Sequence, residues 1–103
     1  MYQIEFAEGV FDDLKQIRAF ERTHILDEID VQLQYEPLKQ TRNRKPLFGL
    51  TLPWEHIPPI WKLRVGEWRV FYDVSSDKNS DNAIVTVRAI RHKPPNRRTE
   101  EIL

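Results

Sequence analysis

Residues 61–74, WKLRVGEWRVFYDV, alternate apolar and polar side chains on either side of a glycine. No other feature of the chain constrains its fold as tightly. Alternation with period two belongs to strands, and a central glycine supplies the backbone freedom of a tight hairpin turn. The pattern places Trp61, Leu63 and Val65 on one face, with Lys62 and Arg64 on the other. In the return strand Trp68, Val70, Tyr72 and Val74 share a face, and Arg69 and Phe71 take the opposite one. One side of the hairpin is therefore apolar. The other carries three cations.

The flanking segments supply what such a hairpin needs. YQIEFA alternates as a further strand, with Tyr2, Ile4 and Phe6 on one face. Val10, Phe11, Leu14 and Ile17 recur at helical spacing, and a second helix is expected over about 21–35 on the stripe Ile25, Ile29 and Leu33. Thr23 is a possible cap for it, and Pro37 ends it. Residues 38–60 hold four prolines and no sustained period. They read as a long loop with a short extended piece near 45–50, packed in part through Leu47, Phe48 and Trp54. DKNSDN (77–82) reads as a turn cluster. AIVTVRAIR reads as the central strand because it is almost uninterrupted, KPPN stops it, and RRTEEIL suits a short helical turn.

The expected order is β-α-α-β-β-β in one domain over residues 1–103, an α+β fold with the helices on one face of a small antiparallel sheet. The cations of the hairpin then lie on the other, partly open face.

Charge sharpens this picture. The chain is neutral overall, with 16 basic and 16 acidic residues. However, residues 1–37 carry nine acids against three bases, and residues 38–72 carry seven bases against two acids. Residues 88–98 carry five bases and no acid. Segregation of this kind points to a polyanion-facing surface. The chain has no cysteine, which excludes disulfides and thiolate metal sites. No apolar run reaches the length of a membrane span, so a cytoplasmic protein without a membrane partner is expected. Neither a metal-ligand cluster nor a Gly-rich phosphate loop is evident, and no metal or nucleotide cofactor is implied.

The element order, TRNRKPL before the hairpin, WKLRVGEWRVFYDV itself and the closing VRAIRHK together resemble the RelE/ParE superfamily, toxins of bacterial type II toxin–antitoxin pairs. The likeness covers nearly the whole chain. It implies a cognate antitoxin as partner. In the RelE branch it implies an mRNA interferase, an endoribonuclease that cuts mRNA on the ribosome by attack of a ribose 2′-OH on the adjacent phosphate. That reaction needs a base, cations for the growing negative charge and an acid for the leaving oxygen. By the resemblance, Lys62 and Arg69 match catalytic positions, Arg64 shares their face, and Lys93 stands where the family often has arginine. His92 is a candidate acid–base group because its ordinary pKa lies near neutrality. Arg42, Arg44, Lys45 and Arg91 are candidate RNA contacts, and Phe71 a candidate base-stacking side chain. The chain departs from RelE-type members in having Thr99, not tyrosine, beyond the last strand. Two alternatives remain open: a ParE-type inhibitor of DNA gyrase, and an inactive binding module on the same fold.

Overall fold

The computed structural model describes residues 1–76 and 83–103; the turn expected over 77–82 lies outside them. The elements run β1 (Gln3–Phe6), α1 (Glu8–Lys15), α2 (Ala19–Leu33), β2 (Arg44–Leu47), β3 (Ile60–Val65), β4 (Trp68–Ser76), β5 (Ala83–His92) and α3 (Thr99–Ile102). The sheet order is β1-β5-β4-β3-β2. The expected α+β architecture is present, with three adjustments. The extended piece of the loop forms a fifth strand, β2, at the sheet edge. The sheet is mixed, because β1 pairs parallel to β5 while the other three pairings are antiparallel. The central strand is β4, not β5, since β1 closes the sheet beyond β5.

The hairpin is built as its alternation requires. Val65 pairs with Trp68 across a two-residue loop, and Gly66 alone carries a positive φ, of 58°. Positive φ confined to the first loop residue matches a type II′ turn, which favours glycine there. Pro46 sits in β2, an edge strand, where a missing backbone donor is tolerated.

The main core lies between the sheet and the two longer helices. Ile25, Ile29 and Leu33 of α2 bury fully against Leu63, Val70, Tyr72, Val85 and Val87. Tyr72 donates its hydroxyl hydrogen to the Pro37 carbonyl at 2.6 Å, which ties the end of the helical region to β4. Burial pushes the Tyr72 pKa up. Helix α2 starts and ends two residues earlier than its apolar pattern suggested. Thr23 lies inside it, donating to the Ala19 carbonyl, so it is not a cap. Phe11 leaves the stripe of α1 for solvent.

A second, smaller core occupies part of the opposite sheet face. Ile60, Phe71 and Ala89 form it, covered by Leu47, Leu52 and Trp54 from the long loop and by Ile102 and Leu103. Phe48 takes no part and is 76% exposed. A buried ion pair fastens the cover. Asp73 accepts from Arg88 Nε at 2.8 Å and Nη2 at 3.2 Å, and from the Ile57 backbone N–H at 2.8 Å. Arg88 falls at the register shift opposite Phe71/Tyr72, where β5 carries one residue more than β4.

Candidate active site: a cation-lined pocket on the sheet

The second core divides the sheet face opposite the helices. One half is apolar and covered by the loop and α3. On the other half Arg42, Asn43, Lys45, Lys62, Arg64, Arg69 and Lys93 line a pocket of about 180 Å³. Six of the sequence candidates meet there: Arg42, Lys45, Lys62, Arg64, Arg69 and Lys93. A larger pocket of about 390 Å³, lined by Leu47, Phe48, Leu50, Leu52, Pro58 and Ile60 among others, is mainly apolar and offers no comparable charge.

Local structure explains the gathering. Thr41 Oγ1 accepts from the backbone N–H groups of Asn43 and Arg44, both at 3.2 Å, and bends the chain into β2. The Asn43 carbonyl accepts from the Arg64 N–H at 2.8 Å, which sets the bend against the hairpin. Register then places Lys45 opposite Lys62 and Arg64 opposite Arg69. Lys93 is brought in by its backbone N–H, which donates to the Glu67 carbonyl of the turn at 2.7 Å.

Like charges directly opposite one another are destabilising, by a few tenths to about 1 kcal/mol per pair. Two such pairs on adjacent ladders make little sense as fold-stabilising features. They make sense if an anion comes to lie between them. Arg69 is held most firmly. It is 8% exposed, and its Nη1 donates to the carbonyls of Gly66 and Trp68 at 2.9 Å each. The hydrogens on Nε and Nη2 are separate from those two bonds. Burial, then Arg64, lowers the Arg69 pKa.

Lys62 is the chemically distinctive group. Burial is the largest cause lowering its pKa, followed by repulsion from Lys45, Arg69, Lys93 and Arg64; together they bring it from 10.5 to about 8. Its Nζ donates to Thr99 Oγ1 at 3.1 Å.

The other sequence candidates lie elsewhere. Phe71 is fully buried in the second core and cannot stack on a base, because the loop and α3 cover the face it was expected to expose. Arg44 is only 7% exposed and pairs with Leu63 on the helix side. Its Nη1 donates to the carbonyls of Gln32 and Glu36 at 2.6 Å each, satisfying the end of α2 instead of meeting RNA. Arg91 is engaged by Asp13 of α1 at 2.8 Å. His92 lines two other pockets, with Trp68 at a ring separation of 5.1 Å and Glu67 at 3.0 Å. It does not line the cationic pocket, since it pairs with Trp68 one residue from Arg69 and so takes the opposite side.

Sequence reasoning missed Asn43, the hydroxyl of Thr99 as a partner of Lys62, and the Asp73–Arg88 clamp. Only the clamp left a signal: an acid, Asp73, and a base, Arg88, each set between apolar neighbours in the middle of its strand. Among the described residues no group of His, Cys, Asp and Glu is arranged to hold a metal, and no helix is long and apolar enough to cross a membrane.

Fold and site together define a small α+β domain with a cation-lined pocket on the free half of its sheet. The chain belongs to the family of ParE toxins of type II toxin–antitoxin systems, parDE, whose model matches residues 4–94. Its fold is also that of a chain in the archaeal RelE–RelB complex from Pyrococcus horikoshii OT3, with a TM-score of 0.61. The likeness covers 94% of this chain and 98% of that one at 21% sequence identity. Among curated proteins, none matches this sequence.

Proposed function

We propose that this toxin is an mRNA interferase, cleaving the RNA backbone on the ribosome at the cation-lined pocket. The observation that carries the reading is Lys62, a lysine brought to a pKa of about 8 inside a ring of other cations. A lysine at 10.5 is nearly all protonated at neutral pH. At about 8, roughly a quarter is neutral near pH 7.5 and able to accept a proton.

In the proposed reaction Lys62 Nζ takes the proton of the ribose 2′-OH, whose oxygen attacks the adjacent phosphorus. Arg69 and Arg64 grip the non-bridging oxygens as charge grows on them. The P–O5′ bond breaks, and Lys93 stands ready to supply the proton or the charge that the departing 5′-oxygen needs. The products are a 2′,3′-cyclic phosphate and a 5′-hydroxyl end. Lys45 and Arg42 extend the cationic surface along the strand. No step uses His92. We also assign the chain a cognate antitoxin, as RelB accompanies RelE in the similar archaeal complex. An acidic segment of such a partner suits the pocket, and the exposed apolar side chains of the loop, Phe48 and Ile57, suit its apolar side chains.

The family match favours one other reading, inhibition of DNA gyrase in the manner of ParE-type toxins. The cations then serve as a binding surface, and the low pKa of Lys62 has no task. Induced expression without antitoxin, with protein and DNA synthesis followed separately, distinguishes the two. Protein synthesis stopping first supports the interferase; DNA synthesis stopping first, with mRNA intact, supports gyrase.

A further inference from the structure

Lys62 stands where electrostatics should not leave it. Four cations repel its ammonium: Lys45 from β2, Arg64 from its own strand, Arg69 from β4 and Lys93 after β5. Four methylenes give it the reach to swing into solvent. Its one hydrogen bond among the described residues runs to Thr99 Oγ1, at 3.1 Å. Thr99 is itself well placed to resist that swing. It opens α3, whose Ile102, with Leu103 after it, packs on Ile60 and Phe71 in the second core. The hydroxyl is thus fixed from the apolar half of the sheet and aimed at the charged half.

We propose that Thr99 is a positioning residue, holding the Lys62 ammonium over the cationic pocket against the repulsion of its neighbours. The role deepens the interferase reading and, for its effect on cleavage, rests on it. It also explains why a threonine suffices at this point. A hydroxyl acceptor orients a proton-accepting lysine without adding a charge, whereas a carboxylate there would hold Lys62 protonated.

The test is the titration of Lys62, followed by NMR through its side-chain Cε in wild type, Thr99→Val and Thr99→Ser. Valine keeps the shape and removes the acceptor; serine keeps the acceptor. If Thr99 holds the ammonium in place, valine lets it move into solvent. Its midpoint then rises from about 8 toward 10.5 by at least about one pH unit. Serine restores the wild-type midpoint. A midpoint that is unmoved or lower in Thr99→Val, with Ile102 signals unchanged, overturns the proposal, because Lys62 then stays in place without Thr99. In a cleavage assay valine is expected to lower kcat about tenfold and to leave KM within about twofold. If wild type itself does not cleave RNA, the interferase reading fails. The midpoint comparison still decides the role of Thr99.

Discussion

Replacing Lys62 with methionine should make this protein more stable at neutral pH, and the gain should fade as pH rises. The sign follows from the direction of the pKa change. Folding lowers the Lys62 pKa from 10.5 to about 8. Between those values the unfolded chain holds a proton that the folded chain has released, so stability rises with pH across that window. Below about pH 8 the lysine is charged in both states and its burial among cations is a net penalty. At about 1.36 kcal/mol per pH unit, the full difference corresponds to about 3.4 kcal/mol. Solvent screening of a half-buried head group reduces this to about 1–2 kcal/mol. Urea denaturation of wild type and Lys62→Met at pH 7 and pH 10 measures it, and taking the difference cancels the other titrating groups. The variant should exceed wild type by about 1–2 kcal/mol at pH 7 and lose most of that advantage by pH 10. Parallel pH dependences in the two proteins would refute the reasoning, since Lys62 would then titrate as an ordinary surface lysine.

Other substitutions separate structural residues from site residues. Phe71→Ala should cost about 3–5 kcal/mol in denaturant midpoint experiments, as expected for a fully buried aromatic; a loss below 1 kcal/mol contradicts the second core. Asp73→Asn should cost about 3 kcal/mol and speed proteolysis in residues 48–59, because it leaves Arg88 without its buried partner. Arg44→Ala should lose about 2–4 kcal/mol of stability with its two backbone hydrogen bonds. Arg64→Ala should instead keep stability and weaken single-stranded RNA binding, reducing the salt slope by about 0.7; filter binding at several salt concentrations distinguishes the two. His92→Gln should leave toxicity in place, and its loss would return His92 to the reaction.

Much of the fold can be read from local pattern. Alternation in the hairpin correctly separates Leu63 and Val70 from Lys62 and Arg69, because a half-buried strand has no other way to satisfy both faces. The helix stripe Ile25, Ile29 and Leu33 is equally direct. What alternation cannot show is which parts of the second face are covered later by a loop of no regular period. Phe71 and Arg69 are two residues apart on that face, yet one is core and the other lines the pocket. The difference comes from Trp54, Leu52 and Ile102, which lie far away in sequence. Arg44 misleads for a similar reason. Its neighbours Arg42, Asn43 and Lys45 are exposed, and only the β2–β3 register turns its side chain under the end of α2. For His92 the chemistry of the residue type suggests a role, while strand parity places the ring outside the cationic pocket. Lys62, by contrast, is singled out by position, and its unusual pKa arises only when folding buries it and gathers four other cations around it.

The most direct measurement of the central claim is the chemistry of RNA ends in cells expressing this chain without an antitoxin, set against cells expressing Arg69→Ala. Attack by a 2′-OH predicts new 5′-hydroxyl ends within translated mRNA. Those ends should disappear with Arg69→Ala, and growth should resume. Growth arrest with intact mRNA, or cut ends that persist undiminished in Arg69→Ala, would contradict the account.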